Sequence, residues 1–173
     1  MTHSYNPQRR TLLVAGGGLL VLAATTKYAC AKDVIEIEMS GSSSGSHVWF
    51  KPRGLLIPKG TTVRWINSDK GNSHTITAYH PDNGKSNRIP NAADPWDSGY
   101  IMPGNDYEHT FDVEGVYDYF CIPHEQAGMV GRIIVGDVPG SDHPYEDSNS
   151  KLPKAAVDML PTVKDILAHK TVE

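Results

Sequence analysis

Cysteine is nearly missing from this chain: its 173 residues include two, Cys30 and Cys121. Cys30 lies in a stretch that reads as a removable leader, so the mature protein keeps one thiol and an internal disulfide is excluded. Basic residues are also scarce past the start. Against 20 Asp and Glu stand 16 Lys and Arg, and three of those, Arg9, Arg10 and Lys27, fall in the first 31 residues, which hold no acid; the remainder has a formal charge of −7. That balance argues against a nucleic-acid partner and favours docking on basic protein surfaces. No apolar run reaches the roughly 20 residues needed to cross a bilayer. There is no internal repeat and no phosphate-binding glycine loop, and helical periodicity is absent between residues 33 and 137.

The N-terminus reads as a targeting segment over residues 1–31. A polar stretch ends in Gln8-Arg9-Arg10, an apolar run follows over residues 12–24, and Ala29-Cys30-Ala31 forms an A-x-A-like cleavage site. The paired arginines followed by Leu12 and Leu13 resemble a twin-arginine signal, with a general secretory signal as the alternative. Either route leads to the periplasm or another extracytoplasmic space, with membrane attachment only through an uncleaved leader. Lipidation of Cys30 fits less well, because Lys27 and Tyr28 stand where small or aliphatic residues are expected. A lone thiol in an oxidising compartment needs protection. Metal ligation supplies it, which marks Cys121 as a ligand candidate.

Between residues 33 and 137, short alternating runs broken by Gly, Pro, Asn and Asp predict an all-β sandwich or barrel. Ile35, Ile37 and Met39 alternate with Glu36 and Glu38; Val63 and Trp65 share a face, and Trp49 and Trp65 read as core. Residues 74–79 read as a strand and residues 81–95 as a long polar excursion. Tyr107, His109 and Phe111 alternate with polar neighbours. Tyr117, Tyr119 and Cys121 point one way, so inward tyrosines would bring the sulfur to the interior end of the sheet pair. Past residue 137 the composition turns to Pro, Ser, Asp and Gly, and then Leu152, Ala156, Met159, Leu160, Val163, Ile166 and Leu167 recur at helical spacing. Pro161 is expected in the first turn of a second helix. The predicted organisation is a leader over residues 1–31, a β domain over 32–137, and a linker with a helical extension over 138–173.

The most informative stretch is Tyr117-Asp118-Tyr119-Phe120-Cys121-Ile122-Pro123-His124-Glu125-Gln126-Ala127-Gly128-Met129-Val130-Gly131, with a thiol, an imidazole and a thioether in the order C-x2-H-x4-M. Cys121 ends a strand-like run, so one short loop can wrap three donors around a single ion. His74, after the turn Asp69-Lys70-Gly71-Asn72-Ser73, offers a second imidazole. Taken singly, an inward Cys or a following Met is ordinary core packing; order, spacing and the upstream histidine make the case jointly. Two His, one Cys and a weak, long axial Met hold copper for electron transfer rather than substrate chemistry. Cu(I) favours the sulfur donors and Cu(II) accepts imidazole, so neither state is strongly disfavoured, whereas zinc is poorly served. The other histidines stand apart. Six residues of strand, roughly 20 Å, separate His80 from His74. His109 reads as packed in or beside the core, and His47, His143 and His169 as surface or tail. Met39, Met102 and Met159 fit strand, loop and helix packing.

Tyr117-x-Tyr119-x-Cys121-x-Pro123-His124, followed by Gly128-Met129-Val130-Gly131, resembles the copper loop of the cupredoxins, specifically plastocyanins and pseudoazurins. Pro58-Lys59-Gly60-Thr61-Thr62-Val63-x-Trp65 with His74 is similar to the earlier half of the same pattern. The likeness covers residues 34–135, and the run into Val135-Gly136-Asp137 with a helical C-terminus is closer to pseudoazurin. It implies a cupredoxin-like Greek-key β-sandwich with a short C-terminal helical extension. It also implies one type 1 copper ion, Cu(I)/Cu(II), on His74, Cys121, His124 and Met129, with electron entry through the exposed edge of His124. The implied function is a monomeric one-electron carrier, not an enzyme, that meets a donor and an acceptor redox protein transiently. A copper chaperone or storage protein is the alternative. A small oxidase or nitrite reductase would need an open metal position or a second cluster, and the remaining histidines are too scattered to build one. The chain departs from the pattern at Thr75, where these families often have Asn, so a side-chain bond to the ligand loop falls to a threonine. The backbone N–H of residue 75 can still donate to the Cys121 sulfur. Its long excursion and its acidity, unlike the basic docking surface of pseudoazurins, are further departures.

Overall fold

Alternation of apolar and charged residues shapes the first strand, which buries Ile37 and Met39 and turns Glu36 and Glu38 to solvent. The computed structural model describes residues 34–42, 44, 46–138 and 151–173. The expected leader, residues 139–150 of the linker, and His143 lie outside the described residues. Within them the strands are β1 (Val34–Gly41), β2 (Val48–Lys51), β3 (Gly54–Ile57), β4 (Thr61–Asn67), β5 (Thr77–Ala78), β6 (Asp106–Phe111), β7 (Gly115–Phe120), β8 (Val130–Val135) and β9 (Thr171–Val172). Helices α1 (Lys154–Met159) and α2 (Val163–His169) precede the last strand. The strands form two sheets, in the orders β2-β1-β4-β6 and β5-β7-β8-β3-β9. The β1–β4 and β3–β8 pairs are parallel and the rest antiparallel, giving a Greek-key β-sandwich.

The inter-sheet core is built on Trp65, which is fully buried and meets Tyr119 edge-on, ring centroids 5.5 Å apart. Tyr119 lies opposite Gly131 of β8, where a Cβ would overlap the tyrosine ring. As the alternation predicts, Tyr117, Tyr119 and Cys121 all face this core. The opposite face of β7 is buried as well. Phe120 packs with Tyr79, Val130 and Ala156 of α1, and Val116 packs with Ile134, Val163 and Ile166 of α2. Residues 151–173 thus cover the outer face of the second sheet, and β9 extends that sheet by pairing with β3.

Asp118, between Val116 and Phe120, is fully buried and accepts from Arg88 Nε (2.8 Å) and Arg132 Nε (2.6 Å). Arg132 also donates to the Pro161 carbonyl, at 2.9 Å. The excursion over residues 81–95 therefore differs from the solvated loop its composition suggests. It buries Arg88 and Ile89 and runs beside β7, with the Arg88 N–H donating to the Tyr79 carbonyl and the Asp118 N–H to the Arg88 carbonyl.

Three further expectations change. The strand over residues 74–79 shrinks to β5, and His74 makes a single bridge with Ile101 instead. Trp49 is half-exposed, because Val48 and Phe50 take the inward positions of β2. Pro161 precedes the helix cap: Thr162 caps α2, its Oγ1 accepting from the Asp165 N–H at 3.1 Å.

Candidate metal centre

The loop after β7 is closed by its own backbone. The Cys121 N–H donates to the Met129 carbonyl (3.0 Å), the Met129 N–H to the His124 carbonyl (3.1 Å), and the His124 N–H to the Cys121 carbonyl (3.0 Å). Between them Ile122–Ala127 forms a 3-10 turn that ends at Gly128, φ 85°. Glycine suits that left-handed position, and a Cβ there would also press to 3.1 Å from the Ala155 carbonyl oxygen of the segment α1 belongs to. The C-terminal helix is thereby seated on the candidate ligand loop.

His74 arrives from the other side, fixed by backbone bonds in both directions with Ile101, at 3.1 and 2.8 Å. Its Nδ1 lies 3.2 Å from Nδ1 of His124 and 3.6 Å from Sγ of Cys121, and that sulfur is 3.4 Å from His124 Nδ1. Among the described residues this is the one group of three His, Cys, Asp or Glu donors that converges so closely. The centre of such a triangle is about 2.0 Å from each corner, within reach of metal–nitrogen bonding. Two imidazole nitrogens and a sulfur turned on one point, with no charged partner between them, fit a soft-to-borderline cation.

Burial sets the protonation states. It pushes the Cys121 thiol up to about 11, although the Thr75 N–H, 3.3 Å from the sulfur, favours the thiolate. Burial likewise holds His74 and His124 below the usual imidazole range, so both rings are neutral and able to ligate near pH 7. To hold a metal here the Cys121 thiol would have to give up its proton. His74, Cys121 and Met129 are fully buried, whereas His124 is half-exposed beside Pro123 and Ile122, the latter 45% exposed. Met129 is placed by its backbone at the closing end of the loop.

Thr75 bonds on two sides. Its N–H meets the sulfur, and its Oγ1 accepts the Ile122 N–H at 2.8 Å, tying the His74 segment to the ligand loop as the substitution of Thr for Asn requires. Two neighbours of the site carry no signal in the sequence. Buried Glu125 pairs with Lys85 of the excursion, whose Nζ also lies 4.9 Å from the Phe120 ring centre. Asp69, in a turn that looked ordinary, contacts the far nitrogen of His74. The remaining described histidines keep away. His80 caps the turn Pro81–Asn83, His109 stacks on Trp96 at 4.5 Å, and exposed His47 touches Trp49.

A Greek-key sandwich with one mixed nitrogen and sulfur site at the end of an inner strand defines a mononuclear copper protein of type 1, a cupredoxin. The family model for copper binding proteins, plastocyanin/azurin family, matches residues 36–136, and the chain belongs to that family. A pseudoazurin from Methylorubrum extorquens is 32% identical over 128 residues, which cover 72% of this chain and 76% of the relative. A plastocyanin from Scenedesmus fuscus is 40% identical over 96 residues, 55% of this chain and 93% of the relative. Among solved structures, pseudoazurin from Methylobacterium extorquens superposes with a TM-score of 0.55 over 79% of this chain and 95% of that one; at 23% identity it supports the fold.

Proposed function

We propose that this protein is a soluble one-electron carrier of the cell envelope, with His74, Cys121, His124 and Met129 holding a single copper ion. The observation that carries the proposal is the convergence of two imidazoles and a sulfur at 3.2–3.6 Å with His124 alone of the four reaching the surface. Bound copper supplies the one-electron couple. The protein's part is to hold its ligands still between the two valences. Backbone bonds close the ligand loop at both ends, and Thr75 joins it to the His74 segment, so neither element has slack to follow a change in charge. Met129 would supply a thioether, a weak donor that tolerates a long bond. The His124 edge is the contact point for transient redox partners, whose interfaces fall at the small end of the range. The acidity of the chain past residue 31 would steer basic partners toward it.

The proposal includes export directed by residues 1–31, a copper domain over residues 32–137, and a linker with a C-terminal helical extension over 138–173, whose helix α1 braces the ligand loop. A chaperone or storage role draws less support, because three of the four proposed ligands are fully buried and offer no exposed route for handing over the ion. An enzyme would need an open metal position or a second cluster. Elemental analysis combined with voltammetry tests the proposal: one copper per chain and a reversible one-electron wave are expected. Several coppers per chain, or loss of the ion on reduction, would contradict it.

A further inference from the structure

We propose that Asp69 is a positioning residue of the copper site: its buried carboxylate fixes His74 with a bare Nδ1 and biases the bound ion toward Cu(II). This rests on the proposed role of His74 as a ligand. Asp69 Oδ2 lies 3.2 Å from His74 Nε2, with the two side chains 5% and 0% exposed. An ionised carboxylate only accepts hydrogen bonds, so the ring proton must sit on Nε2. The lone pair is then left on Nδ1, the atom turned toward Cys121 and His124.

The carboxylate is held in place from several directions. Oδ1 accepts the Gly71 N–H (2.8 Å) and Oδ2 accepts Asn72 Nδ2 (2.7 Å). The Asp69 N–H donates to Asn67 Oδ1 at 3.0 Å. Asn67 in turn donates to the carbonyls of Asn72 (3.0 Å) and Ile101 (2.8 Å), and Ile101 is the residue that brackets His74 by its backbone. Space is also reserved: a Cβ at Gly41 of β1 would overlap the carboxylate. A residue needed only to form the turn would not require that clearance or that aim.

A carboxylate behind a ligating imidazole fixes its orientation and raises its basicity. A more basic, negatively backed ligand stabilises the higher valence. The Thr75 N–H to the sulfur works in the opposite sense, withdrawing charge from the thiolate. Two opposed hydrogen bonds, one on His74 and one on Cys121, therefore tune this site.

The test uses the full-length chain. In the copper-free protein at pH 8, nitrogen-15 NMR of the imidazole rings is expected to show His74 protonated at Nε2; protonation at Nδ1 would overturn the proposal, and this measurement needs no variant. In the copper-loaded protein, Asp69→Asn is expected to shift the relative affinity from Cu(II) toward Cu(I) by roughly tenfold, a rise in potential of about 59 mV. A potential unchanged to within about twofold in that ratio would overturn it. His74→Ala separates the two levels. If that variant keeps the wild-type copper spectrum, the ligand assignment fails; if it loses the spectrum while Asp69→Asn leaves the potential unmoved, only the role of Asp69 fails.

Discussion

Residue by residue, the site divides into groups whose chemistry is local and groups whose role depends on distant partners. The C-x2-H-x4-M spacing marks its candidate donors because three side chains on one short loop can share an ion whatever the rest of the fold does. His74 was legible for a weaker reason, its place after a tight turn. Met129→Gln is expected to keep a coloured Cu(II) site at a lower potential, since a harder oxygen donor favours Cu(II); an unchanged potential by voltammetry would remove Met129 from the proposed ligand set. Thr75→Val keeps the size of the side chain but leaves the Ile122 N–H without its 2.8 Å acceptor. Denaturant unfolding of the copper-free protein should show a loss of about 1–3 kcal/mol, and equal stability would show that the bond contributes nothing. Asp69 could not be read from its own neighbourhood. Asp-Lys-Gly-Asn is ordinary turn chemistry, and the room for a carboxylate turned toward His74 is left by Gly41, in another strand.

At the level of elements, alternation gave away the strands with one solvated face, such as β1, and the inward direction of Cys121. It misjudged segments whose second face is covered by chain far away in sequence. β7 is buried on both sides because α1, α2 and the excursion all pack behind it. The polar composition of residues 81–95 concealed Arg88, whose burial makes sense only beside Asp118. β9 was illegible because two residues carry no periodicity. Asp118 joins these elements, so Asp118→Asn should remove the carboxylate that two buried guanidinium groups share and destabilise the fold by about 3–5 kcal/mol. Chemical denaturation measures this. A loss below about 1 kcal/mol would mean that water reaches the arginines. Because Gly128 is pressed under the segment of α1, loosening this cluster should also broaden the copper spectrum.

For the molecule as a whole, acidity in solution is set against a core that holds neutral imidazoles. Burial keeps His109 below the usual histidine range, with nearby Asp112 pulling it back up, while Asp94 lines the same shallow cavity. A histidine with a lowered folded value binds its proton more readily in the unfolded chain. Its contribution is complete above about pH 6.5 and declines as the pH falls through the lowered value. Urea unfolding should therefore show wild type losing stability relative to His109→Phe between pH 8 and pH 5, and a pH-independent gap would contradict this. The proposed function requires one copper ion to sit on the Cys121 sulfur between two imidazoles and to change valence in place. The most direct measurement is the visible spectrum of the full-length protein on addition of one equivalent of Cu(II), followed by reductant and reoxidation. An intense thiolate-to-copper band that bleaches, returns, and is absent in Cys121→Ser is the predicted result; a colourless Cu(II) complex, or one whose colour survives Cys121→Ser, would contradict it.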